Sequence, residues 1–308
     1  MNDFSLSAPE LRTVCVGGFA VDTARFGHGT RPLVILPGAS LFPVTRSAEA
    51  VAAAFADFCG DFTLYLVDPP RPILPGLGIR QMAAVTASAL DALGVGPADV
   101  LGCSMGGMLA LCLIADRPDR VRRAVIASSM ARNNAVSRAT ISEWKRLAEA
   151  GNVRGLNRSF AARVYSPEYR ALYRAAFDAQ EELGGPDELR RFAAIADALL
   201  NFDVLGSLTA FTGPDGSPRV LAVGSRRDGV VSGEASAEIA AALGADLFIY
   251  DGFSHAAYDE APDFRARVRS FLLSVGRQGR SARADSQPGC PGGQSALNAP
   301  AVEVRLGE

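Results

Sequence analysis

An α/β architecture, with a mostly parallel central sheet and helices on both of its faces, is what this sequence predicts. Three observations predict it. Short apolar runs that suit buried strands alternate with longer helical segments. Two of the runs stop at proline-containing turns, Pro37-Gly38 and Asp68-Pro69-Pro70. A third, VLGC, passes through Ser104 straight into a helical stretch, MGGMLALCLIA.

The elements follow in order. Arg31 to Leu36 (RPLVIL) is the first clear strand, and the alanine-rich Ala48 to Phe58 suits a helix. Phe62 to Val67 (FTLYLV) is the second strand, followed by a proline-rich loop and a helix from Ile79 to Leu93 that Gly94 ends. Asp99 to Gly102 starts the third strand, Met105 to Ala115 forms its helix, and Arg120 to Ala127 is the fourth strand. The alternation then breaks. From Ala131 to Asn201 helical segments carry Trp144, Tyr165, Tyr169, Tyr173, Phe177 and Phe192 without a convincing strand. This stretch reads as a helical cap inserted over the carboxyl edge of the sheet, where open α/β sheets bind ligands; ordinary helical packing against the sheet is the alternative. A strand at Arg219 to Val223, a helix at Gly233 to Leu243, a strand at Asp246 to Tyr250 and a helix at Ala261 to Leu273 complete the pattern. The core thus takes residues 1–130 and 206–275, and the cap takes 131–205. Residues 276–308, rich in Gly, Pro and polar side chains, read as a disordered tail or an artefactual extension, not as a second domain.

Composition narrows the function. Hydrophobic residues make up 48% and charged residues 21% of the 308, a globular profile. The net charge of −2 gives no reason to expect nucleic acid or an anionic membrane as partner. No uncharged apolar run approaches the ~18 residues of a membrane span. The start, MNDFSLSAPELRTV, has acidic residues and no apolar core of a signal peptide. Cys15, Cys59, Cys103, Cys112 and Cys290 are scattered, and with two histidines they suggest neither a disulfide framework nor a zinc site. A reduced cytoplasm is the expected location. No metal or organic cofactor is implied, and the expected partner is a small-molecule substrate. Oligomeric state is left open, a homodimer included.

The chemistry centres on GCSMGG. A serine on a tight strand-to-helix turn needs small neighbours, which Gly102 and Gly106 supply, while Gly107 permits close helix packing. Its hydroxyl is nearly inert without a base in hydrogen-bond reach. His28 lies in a glycine-flanked turn before the first clear strand and reads as a solvated turn residue. His255, in the loop after the last strand, emerges at the same sheet edge as Ser104 and is the expected base. An imidazole base needs a carboxylate to fix its tautomer. Asp228 directly follows the strand RVLAV and is favoured, whereas the loop after the fourth strand, SSMARNN, has no carboxylate. Asp251 reads as shaping the turn with Gly252.

The chain order Ser104, Asp228, His255 resembles that of the α/β-hydrolase fold superfamily. The likeness covers about Thr13 to Val275 and is carried by GCSMGG, VGSRRDGVV and DGFSHAAYDEAPDFRARVRSFL. It looks closest to the capped single-domain branch that includes enol-lactonases, pimeloyl-ester carboxylesterases and carbon–carbon bond hydrolases. The resemblance implies an oxyanion hole made by the backbone N–H groups of Met105 and Ala39, with Ser40 second to Ala39. Two departures stand out. Many relatives have His-Gly where this chain has Pro37-Gly38, which removes a side chain that helps order the oxyanion loop. Relatives usually carry D-x-R-G-x-G-x-S where this chain reads DPPRPILPGLG from Asp68, which changes a wall of the pocket.

The expected function is therefore a serine hydrolase that cleaves a small carboxylic ester, thioester or lactone through an acyl-enzyme on Ser104. A carbon–carbon bond hydrolase or an acyltransferase with the same triad is the alternative, and a non-catalytic ligand-binding protein on this fold is the reading from a different class. Arg132, Arg163 and Arg226 are residues that could meet an anionic substrate group, although a solvated surface role suits each. Cys103 reads as a small side chain filling space beneath the turn.

Overall fold

The computed structural model describes residues 8–213, 216 and 219–274. Among them eight strands build one sheet: β1 (Glu10–Val16), β2 (Phe19–Phe26), β3 (Arg31–Leu36), β4 (Phe62–Val67), β5 (Ala98–Cys103), β6 (Val121–Ala127), β7 (Val220–Ser225) and β8 (Asp246–Tyr250). Their spatial order is β1-β2-β4-β3-β5-β6-β7-β8. The strands from β3 onward all run parallel. Every residue of β5 and of β7 is buried, as a parallel strand covered on both faces requires.

The helices that accompany the sheet are α1 (Ala48–Ala54), α2 (Ile79–Ala92), α3 (Met105–Asp116), α9 (Ala235–Leu243), α10 (Ala257–Glu260) and α11 (Phe264–Leu273). Of these, α3 is buried continuously from Met105 to Ile114. A helix apolar on all sides needs such an enclosed place, and here it carries the serine turn at its amino end.

The strand-and-helix reading needs three corrections. β1 and β2, ahead of the first expected strand, form an antiparallel hairpin that adds to β4. Gly17 and Gly18 turn it, with φ of 56° and 82°, the left-handed pair that a two-residue hairpin demands. β1 lies largely exposed at the sheet edge, so its residues never form the apolar run that marks the inner strands. The helix expected through Phe58 ends at Ala54 and gives way to a 3-10 turn at Ala56–Phe58. The last helix, expected from Ala261, begins at Phe264 as α11, with the short α10 ahead of it: Ala261 is extended (ψ 120°), as the residue before Pro262 prefers.

Between β6 and β7 lies a helical insert: α4 (Ala135–Glu149), α5 (Val153–Val164), α6 (Pro167–Leu172), α7 (Arg174–Gln180) and α8 (Pro186–Leu200). Its two ends are tied together where it leaves and rejoins the core. Asn133 Nδ2 donates to the carbonyls of Leu199, Leu200 and Phe202 at 2.8, 3.1 and 3.2 Å, and Val204 N donates to Ala131 O at 2.8 Å. α4 and α8 pack along each other above this clasp. No helix of the described residues is long and apolar enough to cross a membrane. The expected tail, residues 276–308 with Cys290, lies outside the described residues.

Candidate active site

The site begins with a strained turn. Ser104, between β5 and α3, has φ 53° and ψ −118°, outside the regions an L-residue favours. Such a conformation costs about 1–3 kcal/mol and persists only where the surroundings enforce it. They do so here by hydrogen bonds: Ser104 N donates to Ala127 O at 2.9 Å, and Ser129 Oγ donates to Ser104 O at 2.8 Å. The flanking glycines are steric necessities. A Cβ on Gly106 would lie 1.9 Å from the Leu36 carbonyl oxygen, and one on Gly102 would lie 2.4 Å from that of Gly106. On Gly107 it would meet the Ser129 side chain at 2.6 Å. Gly106→Ala is therefore expected to lower unfolding free energy by about 3 kcal/mol, because backbone has to move. Urea denaturation checks this; a wild-type midpoint would contradict the close approach.

His255 lies in the β8–α10 connection and is 2% exposed. Its Nε2 is 2.9 Å from Ser104 Oγ and its Nδ1 is 2.8 Å from Asp228 Oδ2. Asp228 follows β7, and its other oxygen, Oδ1, accepts from Val230 N at 2.8 Å and Val231 N at 2.9 Å. Those amides fix the carboxylate plane and leave Oδ2 for the imidazole. With Nδ1–H donating to Oδ2, Nε2 is the acceptor for the serine hydroxyl. α4 supports the acid loop from above: Thr140 Oγ1 donates to Gly229 O at 3.0 Å and Asn134 Nδ2 donates to Val231 O at 2.6 Å.

The other titratable residues weighed in the sequence fall elsewhere. His28 precedes β3, at the sheet edge opposite to the one that carries Ser104. Asp251 pairs with Arg226 at 2.6 Å on the surface. Arg132 and Arg163 also pair with carboxylates, of Glu238 at 2.6 Å and Glu143 at 2.7 Å. Cys103 is fully buried, and burial pushes its thiol well above the usual range. Among the described residues no cluster of three or more His, Cys, Asp or Glu is arranged to hold a metal ion.

Ala39 and Met105 flank the serine turn. The contact of Gly106 with Leu36 and Pro37 brings the loop after β3 against the first turn of α3. Neither the Ala39 nor the Met105 backbone N–H has a backbone acceptor among the described residues. Two side chains to which the sequence reading gave no role hold this loop. Asp68, at the end of β4, accepts from Val44 N at 2.8 Å, Thr45 N at 3.0 Å and Thr45 Oγ1 at 2.6 Å. Burial raises its carboxyl pKa, and the bonds from Thr45 and Val44 oppose that. From α8, Arg191 Nη1 donates to the carbonyls of Ser40 at 2.8 Å and Leu41 at 3.2 Å. Asp68 and Arg191 thus order a loop whose Pro37 lacks an ordering side chain. The proline-rich segment after Asp68 begins with the residue that does half of this.

One small cavity adjoins the turn and a larger one lies beside it. The small one is walled by Ser104, His255 and Ala39 with Met108, Trp144 and Tyr258. The larger one, of about 730 Å³, opens between the loop 39–47 and helices α5 to α8. Ala39 and Phe160 line both, so the two share a wall.

A family model described as alpha/beta hydrolase fold matches residues 19–262. Among solved structures, an alpha/beta hydrolase from a Medee basin deep-sea metagenome library superposes with a TM-score of 0.76 at 18% identity, covering 88% of this chain and 100% of its own. The enol-lactonase from Burkholderia xenovorans LB400 gives 0.72 at 19% identity, covering 85% of this chain and 100% of its own. Among curated relatives, a homoserine O-acetyltransferase from Thermus thermophilus is 35% identical over 136 residues, 39% of this chain. The chain spans only 36% of that relative's length, and 17% of a Deinococcus radiodurans homoserine O-acetyltransferase that it also matches.

Proposed function

Because the chain belongs to the alpha/beta hydrolase fold family, we propose that it is a serine hydrolase that cleaves a small carboxylic ester, thioester or lactone through an acyl-enzyme on Ser104. The observation that carries the reading is the unbroken chain Ser104 Oγ, His255 Nε2, His255 Nδ1, Asp228 Oδ2, with contacts of 2.9 and 2.8 Å. Ser104 Oγ attacks the substrate carbonyl carbon while His255 Nε2 takes its proton. Asp228 stabilises the imidazolium that results, and the N–H groups of Ala39 and Met105 hold the oxyanion. Collapse expels the alcohol or thiol, protonated by His255. Water, deprotonated by the same imidazole, then releases the acid and restores Ser104. The helical insert serves as the cap that shapes the pocket and limits water.

Labelling by a fluorophosphonate tests this directly. Wild-type protein is expected to be modified at Ser104, and His255→Ala to lose the labelling while remaining folded by circular dichroism. A folded wild type that neither labels nor cleaves any of a panel of aryl esters, thioesters and lactones would leave a ligand-binding role on this fold. A second reading, acyl transfer to a hydroxyl acceptor, is favoured by the local match to homoserine O-acetyltransferases. It shares the acyl-enzyme, and it predicts an acylated alcohol as product when homoserine or another hydroxyl acceptor is present during aryl-ester turnover.

A further inference from the structure

One face of α5 runs past both cavities. Leu156, Phe160 and Val164 are spaced four apart, so they stack along one side of this helix. Leu156 lines the larger cavity, Val164 lines the small one, and Phe160 lines both. The other residue common to both is Ala39, whose side chain is a single methyl, so the Phe160 ring is the bulk of the partition. The spaces on its two sides differ greatly. The larger holds about 730 Å³, whereas the one beside Ser104 and His255 holds about 10 Å³, room for about one water-sized group.

That ring is braced. Its centroid lies 4.9 Å from the Trp144 ring and 6.3 Å from the Phe192 ring, and Trp144 and Phe192 are themselves buried. The indole is locked in turn: Trp144 Nε1 donates to Ser159 Oγ at 3.2 Å, and Ser159 Oγ donates to Glu143 Oε1 at 2.9 Å. Glu143 also pairs with Arg163 of α5 at 2.7 Å. The helix is tied to the catalytic loop as well, because Ala256 N, directly after His255, donates to Val164 O at 2.8 Å. Phe160, one turn before Val164, is therefore fixed in position relative to the imidazole. Moving it aside would break both aromatic contacts in a packed interior.

The acyl group is the part of a substrate that stays on Ser104 while the leaving group departs and water enters, so it belongs in the more enclosed of the two spaces, the small cavity. We propose that Phe160, braced by Trp144, is the specificity-determining residue of this site: its ring closes the acyl pocket and confines the acyl group to about two or three carbons. A six-carbon chain would have to displace the ring before reaching the larger cavity, where Leu41, Phe42 and Phe177 offer apolar walls. This rests on Ser104 being the nucleophile.

The experiment compares 4-nitrophenyl acetate with 4-nitrophenyl hexanoate, which share a leaving group and differ only in the acyl chain. Wild type is expected to favour acetate in kcat/KM by about tenfold or more, against the gain of about fourfold per buried methylene that an open apolar pocket gives. Phe160→Ala is expected to raise the hexanoate-to-acetate ratio about a hundredfold by joining the two cavities. Phe160→Leu, which keeps an apolar side chain at the boundary and tests the same point if the alanine variant does not fold, is expected to raise it about tenfold. A merely structural defect would slow both esters and leave their ratio intact. Binding is read separately with hexanamide, an uncleaved analogue, in Ser104→Ala protein. Trp144 is the only tryptophan of the chain and lines the small cavity but not the larger one, so its emission reports entry into that space. Hexanamide is expected to change that emission at about tenfold lower concentration once Phe160→Ala is added. A wild type that prefers hexanoate, or a ratio that neither Phe160 variant moves, overturns the assignment. Fluorophosphonate labelling with an unmoved ratio sinks the partition alone, whereas a hexanamide response that Phe160→Ala strengthens, in a protein that does not label, sinks only the nucleophile.

Discussion

Ser104→Ala is expected to reduce kcat/KM on a short-chain aryl ester by about a hundred-thousand-fold, the scale on which loss of the nucleophile removes the covalent route entirely. Nothing else near His255 replaces the hydroxyl. Ser129 Oγ donates to the Ser104 carbonyl, and Ser40 Oγ donates to the Phe42 carbonyl at 2.5 Å. The mutant keeps the backbone bonds that enforce the turn, from Ser104 N to Ala127 O and from Ser129 Oγ to Ser104 O, so its fold is expected to survive. Initial rates together with a urea unfolding curve check both halves. Full activity in the folded mutant would remove the acyl-enzyme from consideration.

Asp228→Asn is expected to lower kcat by about ten-thousand-fold, through the proton on the imidazole and not through geometry. The amides of Val230 and Val231 hold Oδ1 and demand an acceptor there. An asparagine in this place keeps its carbonyl oxygen on those amides and turns its NH2 toward His255 Nδ1. Nδ1 must then accept, the ring proton moves to Nε2, and Nε2 no longer takes the proton of Ser104. Steady-state kinetics on the aryl ester measure the loss. A fall of less than tenfold would mean that Asp228 holds the loop and does not set the tautomer.

How much of this was legible in the chain depends on the range of the interactions. The inner strands announce themselves because burial on both faces makes them runs such as FTLYLV and VRRAVIA, the latter charged only where it starts. The hairpin β1–β2 escapes because β1 is an exposed edge strand, although Gly17-Gly18 between alternating residues is a signal that finds it. The later start of α11 escapes because Pro262 holds Ala261 extended within an otherwise helical composition. At the site, the glycines around Ser104 record close backbone approaches within one strand-turn-helix unit, so local pattern reveals them. His255 could be picked out because the chain offers only two histidines.

The sequence by itself determined the alternating α/β order, the serine on a turn that requires glycine two positions to either side, and the histidine and carboxylate on later loops of the same sheet edge. These follow from short-range sterics and from the rule that parallel strands place the loops after them on one side. Only the tertiary structure decided that Asp68 and Arg191 order the loop of Ala39. Arg191 reaches a carbonyl 151 positions away and Asp68 an amide 24 positions away. An arginine or aspartate in a helical or proline-rich stretch looks alike whether it faces water or a buried acceptor. What separates the two is desolvation and the partner that offsets it, and both exist only after distant segments have packed.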